Sequence, residues 1–67
     1  MIALLAKVAE HCVGLEISDA TKKIERAGAS WRVVEKDGIS FMIGAEYNNK
    51  RISVVLNGKK IVSAEVG

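Results

Sequence analysis

The sequence predicts an α+β fold, with one or two short helices packed on a small twisted sheet. Three observations carry that expectation. Apolar residues fall at helical spacing up to residue 27 and alternate at strand spacing from residue 30 onward. The chain has no proline, so its six glycines do all the punctuation. The order is helix, helix, then three or four strands, a segregated arrangement of the α+β kind.

Residues 2–11 read as a short helix, with Leu5, Val8 and Cys12 at helical spacing and Ala6 and Ala9 beside them. Val13-Gly14 breaks it. A second helix is expected over 18–27, with Ser18 as N-cap, Asp19 at the positive end and Lys22, Lys23 and Arg26 toward the negative end. Gly28 is placed to stop it in a left-handed conformation. Its buried stripe is expected to be Ile17, Ala20, Ile24 and Ala27.

From Ser30 on, the pattern is that of strands. "WRVV" is β-prone and "EKDG" is turn chemistry. "ISFMI" puts Ile39, Phe41 and Ile43 on one face, and "RISVVL" puts Ile52, Val54 and Leu56 on one face. Asn57-Gly58 is the strongest short hairpin signal, and "IVSAEV" returns after it.

With 67 residues the chain is expected to be a single domain near the lower limit for a self-sufficient core. Such small domains usually carry a staple, a metal or a partner chain. One cysteine excludes an internal disulfide, and one histidine beside it makes no structural zinc site. A homodimer or larger homo-oligomer is therefore expected. The formal charge is +2 and the basic residues are scattered, so no duplex nucleic acid partner is indicated. The apolar opening "MIALLA" is cut short by Lys7, too early for a signal peptide or a membrane span. The free cysteine fits a reducing compartment, and a cytoplasmic setting in a bacterial or virus-infected cell is expected.

Between the apolar runs lies "GAEYNNKR", residues 44–51. Locally, Asn48-Asn49 reads as a hairpin turn pairing 39–47 with 50–56, because asparagine tolerates positive φ. That reading gives a four-stranded antiparallel meander with two helices.

A second reading rests on residues in a fixed order. The chain offers Val13-Gly14, Ala20, Ile24, Arg32-Val33-Val34, Gly38, Glu46-Tyr47, Arg51, Ile52, Val54 and a closing Val66-Gly67. In this, residues 12–67 resemble the potato inhibitor I family of serine-protease inhibitors and its small bacterial relatives. Residues 1–11 are then an extra N-terminal helix. The resemblance implies a potato-inhibitor-I-like fold and an extended binding loop at 43–50. Ala45 would enter the specificity pocket of a serine protease, and Glu46 and Tyr47 would follow the scissile bond. Arg51 would reach back to Glu46 and hold the loop extended. Gly44 stands where the family usually has a threonine that braces the loop, and Ser53 where many members have a second arginine. A loop fixed in its bound shape loses little entropy on docking. The small Ala45 implies an elastase-like or subtilisin-like target.

The rival function class is an oligomeric viral or bacterial binding module. It would sequester a small anionic ligand, such as a nucleotide signal, or block a host protein. Trp31, Arg32 and Asn48 are its candidate ligand-binding residues, Trp31 as an aromatic platform.

No enzyme chemistry, cofactor or metal is expected. Cys12 and His11 are adjacent, whereas catalytic thiolate–imidazole pairs meet through space from separate segments, so Cys12 is expected to be a core thiol. The serines lack a second histidine or a nucleophile elbow, and no glycine-rich phosphate loop is present.

Overall fold

The computed structural model describes residues 2–41 and 46–67, with side chains from Leu5 onward. Two helices, α1 (Ile2–Cys12) and α2 (Ile17–Arg26), precede four strands, β1 (Ser30–Lys36), β2 (Ile39–Ser40), β3 (Arg51–Asn57) and β4 (Lys60–Val66). The strands form one mixed sheet in the order β2-β1-β3-β4. The class is α+β, as the sequence order indicates.

Both helices cover the same sheet face, α1 chiefly against β4 and α2 against β1. The Cα envelope of 30 × 26 × 14 Å has room in its thin direction for one helix layer on one sheet. The core between them contains Leu5, Ala9 and Cys12 from α1, Ala20 and Ile24 from α2, and Ile52, Val54, Leu56 and Ile61 from the sheet. Ile52, Val54 and Leu56 share one face of β3, as alternation requires. Among the described residues the N-terminal helix thus supplies a third of the buried core, and it is built into the fold.

The start of α2 differs from expectation. Glu16, not Ser18, holds the N-cap position, and it makes no side-chain cap bond. The reason lies in the sheet. Ile17 donates its N–H to the Lys59 carbonyl at 2.7 Å, Gly14 donates to the Ile61 carbonyl at 2.8 Å, and the Ile61 N–H donates to the Leu15 carbonyl at 2.9 Å. The segment between the helices thereby covers part of the outer edge of β4, and this pairing fixes where the helix begins. At the other end, Gly28 at φ +75° donates to the Glu25 carbonyl and Ala29 to that of Ile24, a Schellman closure. Ala20 and Ile24 are buried and Ile17 is half-buried, while Ala27 is exposed beyond the last helical turn.

The antiparallel meander does not form. β1 and β3 pair in parallel, from Ser30 beside Arg51 to Lys36 beside Leu56. β2 is a two-residue strand that pairs back onto β1, and β4 pairs antiparallel with β3. Both hairpins turn on glycine. Asp37 (φ 53°) and Gly38 (φ 82°) are the central residues between β1 and β2, both with the positive φ of a type I′ turn. Gly58 (φ 62°) is the first central residue between β3 and β4, the type II′ position.

Ile39 and Phe41 were expected on an apolar face but are exposed, Ile39 at 67 %. The helices rest on β1 and β4, so the short edge strand β2 lies beyond their cover. Ile43, the third residue of that expected face, lies outside the described residues.

Candidate functional site

Two parallel strands cannot be joined by a tight turn. After β1, the chain must travel back from the Lys36 end of the sheet to the Ser30 end, about 20 Å, before β3 can start. Ten residues, 41–50, are enough to cover this distance, at up to about 3.5 Å per residue. The parallel pairing therefore demands a long connection that runs back to the Ser30 end of the sheet.

Both ends of this connection are clipped to β1. Phe41 donates its N–H to the Val34 carbonyl at 2.9 Å. At the far end, the Lys50 carbonyl accepts the Ser30 N–H at 2.9 Å. Asn48 builds the final turn: its side-chain Oδ1 accepts the Lys50 N–H at 2.9 Å, and its carbonyl accepts the Arg51 N–H at 3.3 Å. Asn49 and Lys50 are thus the central residues. The expected hairpin through Asn48-Asn49 is absent, and neither asparagine has positive φ.

Alternation along β3 sends Arg51 and Ser53 to the helix-free face, opposite Ile52 and Val54. Arg32 lies beside Ser53 in the parallel register and shares that face. These side chains converge on one atom, the main-chain oxygen of Gly67. Arg51 Nε donates to it at 3.0 Å, Ser53 Oγ at 3.1 Å and Arg32 Nη2 at 3.3 Å. Arg32 Nε also donates to Ser53 Oγ at 3.0 Å. From this node Arg51 extends Nη2 to the main-chain oxygen of Glu46, at 2.9 Å.

The fixed plane of the guanidinium explains the geometry. With Nε held on Gly67, Nη2 can point in few directions, and it points to Glu46. Arg51 does meet Glu46, through the backbone oxygen. The contact holds the course of the chain and is indifferent to the side chain at position 46. Hydrogen bonds from charged donors contribute roughly 1.5–3 kcal/mol each when half-buried.

Tyr47 is 63 % exposed, and its ring edge lies over Gly67: a Cβ at Gly67 would sit 3.9 Å from Tyr47 Cδ1. Glu46 is exposed as well. Gly44 and Ala45, the other expected reactive-loop residues, lie outside the described residues, as do Met42 and Ile43.

Trp31, Arg32 and Asn48 do not form one pocket. Trp31 pairs in register with Ile52 on the helix side, whereas Arg32 points to the other face, and the Asn48 side chain is used in its own turn. A groove of about 260 Å³ between the helices is lined by Val8, His11, Lys23 and Arg26. Cys12 is fully buried, with Sγ 4.0 Å from the Ala20 carbonyl oxygen. Burial pushes its thiol pKa up from the ordinary 9.0, partly offset by the Lys23 ammonium. His11 is exposed in the last turn of α1. Among the described residues, no group of three or more His, Cys, Asp or Glu is placed to hold a metal ion, and no helix is long and apolar enough to cross a membrane.

Two participants escaped the sequence reading. Ser53 stood out there only as a departure from a family pattern, and Gly67 only as a closing residue. Arg32 was singled out as a ligand candidate rather than a structural donor. Their meeting depends on the parallel register of β1 and β3, which local periodicity does not encode. No family model, curated protein or solved structure matches this chain.

Proposed function

We propose that the protein is a small serine-protease-inhibitor-like protein that presents the segment 43–50 as an extended binding loop. The observation that carries this reading is the brace from Arg51 to the main-chain oxygen of Glu46, anchored on Gly67. A protease binds substrate as extended chain through its main-chain groups. A loop held in that shape from its own scaffold loses little conformational freedom on docking and binds tightly. After cleavage between Ala45 and Glu46, the brace would keep the new end beside the old one, so that resealing competes with release.

The resemblance noted in the sequence, the exposed Glu46 and Tyr47 and the parallel-strand connection all support this reading. Ala45 is assigned to the specificity pocket, which points to proteases that take a small side chain there. The test is titration of subtilisin-type and elastase-type enzymes with the protein. Stoichiometric inhibition with slow cleavage after Ala45 is expected, and Gly44→Thr is expected to strengthen it by restoring a side chain that can brace the loop. Absence of inhibition at micromolar concentration in both proteins would remove the proposal.

A further inference from the structure

We infer that Arg32, on strand β1 and remote in sequence from the loop, is a positioning residue for the main chain at Glu46. It acts through the Gly67 oxygen on Arg51. The inference rests on the braced-loop reading and names a residue that this reading does not include.

The physical chain has three links. Arg51 is the only side chain among the described residues that reaches the Glu46 oxygen, and it does so with one edge of a planar group whose other edge sits on Gly67. Aiming Arg51 therefore requires Gly67 to be fixed. Gly67 donates its N–H to the Arg51 carbonyl at 2.9 Å, which fixes its distance from β3 but leaves rotation of its carbonyl. Arg32 Nη2 and Ser53 Oγ approach that carbonyl oxygen and hold its direction. Arg32 also places the Ser53 hydroxyl. That hydroxyl has one proton, which it gives to Gly67, while its oxygen accepts from Arg32 Nε. Arg32 thus fixes the oxygen twice, once directly and once through Ser53.

The alternative is that Arg32 only holds β1 to β3. The ladder already does that: the two strands are paired from Ser30–Arg51 to Lys36–Leu56, with one irregularity between Val33 and Glu35. Lysine at position 32 could reach one acceptor but not both in a fixed plane.

The test is a double-mutant cycle read on the loop itself. The rate of cleavage at residues 44–47 by a broad-specificity protease is measured for the wild-type protein, Arg32→Ala, Arg51→Ala and the double variant. Amide hydrogen exchange of Tyr47 and of core residues Ile24 and Val54 is followed alongside. Arg32→Ala is expected to speed loop cleavage about tenfold, with Arg32→Lys between it and wild type. Tyr47 exchange should rise while Ile24 and Val54 keep their protection. In the double variant the rate should equal that of Arg51→Ala alone, because Arg32 works through Arg51.

Multiplying effects would overturn the inference, as would equal loss of protection in loop and core. The readout needs no inhibited enzyme. A protein that proves to be no inhibitor, yet shows this coupling, would sink the proposed function and leave the role of Arg32 standing. An Arg51 effect without an Arg32 effect would do the reverse.

Discussion

The two ends of the sheet are closed in different ways. At one end, the Asp37-Gly38 and Gly58-Lys59 turns reverse the chain within a few residues. They are stitched together by the Gly58 N–H donated to Asp37 Oδ1 at 2.6 Å and the Asp37 N–H donated to the Leu56 carbonyl at 2.9 Å. At the other end, the connection between β1 and β3 is held by side chains that come from two strands and meet at Gly67. A tight turn is a local object, specified by the φ of one or two residues. The loop is a non-local object, and its shape depends on residues far apart in sequence. Damage at the turn end should therefore appear as lost stability, and damage at the loop end as lost loop shape.

The largest effect is expected at Arg51. Arg51→Ala removes two charged-donor hydrogen bonds and leaves two main-chain oxygens without these partners. Loss of roughly 2–4 kcal/mol is expected, most of it in loop order. Rapid cleavage at 44–47, with a much smaller shift in the thermal midpoint than in cleavage rate, would show this. The turn end should behave in the opposite sense. Gly58→Ala meets no atom within 4 Å, so its cost is conformational alone, about 1–2 kcal/mol for a left-handed non-glycine residue. Denaturant unfolding should report that loss, and the loop cleavage rate should not change beyond it.

Asp37→Ala combines an unfavourable φ with the loss of the carboxylate on the Gly58 N–H, and about 1–2 kcal/mol is expected. Asp37→Gly keeps the turn and loses only the bond, so it should fall between wild type and alanine. A small effect is expected from pH. The Cys12 thiol has a raised pKa in the folded protein, so the unfolded chain loses this proton first as pH rises. The contribution is fully present below the unfolded value near 9.0 and is lost as pH rises from there through the folded value. Cys12→Ala or Cys12→Ser should flatten that alkaline decline in unfolding free energy. The smallest effect is expected from Glu46→Ala, because Arg51 bonds the backbone oxygen there. Loop cleavage at an unrelated bond nearby should stay within about twofold of wild type; a change like that of Arg51→Ala would show that the carboxylate holds the brace.

The comparison also explains how far the sequence could be read. Helix–helix–strand order, the Gly28 stop, the buried face of β3 and a hairpin after it are written in local periodicity and in glycine placement, and they stand, though the hairpin's central residues are Gly58-Lys59 rather than Asn57-Gly58. What failed depends on neighbours in space. Ser18 lost the N-cap because the connector is tied to the edge of β4. Ile39 lost its burial because the helices stop short of β2. The Asn48-Asn49 hairpin gave way because Val33 and Val54 pair in parallel, which obliges the chain to cross the sheet end first. At the candidate site, Arg51 and Glu46 were legible as a spaced pair. The shared acceptor, Gly67, was not, since it takes both strand registers to bring Arg32, Arg51 and Ser53 to one oxygen.

The most direct test follows a subtilisin-type enzyme and the protein together, comparing wild type with Arg51→Ala. Enzyme activity and the integrity of the Ala45–Glu46 bond are measured over time at equal concentrations. The wild-type protein should suppress activity and remain largely uncut, while Arg51→Ala should be cut through and let activity return. Equal behaviour of the two proteins, whether both are digested or both are ignored, would contradict the account.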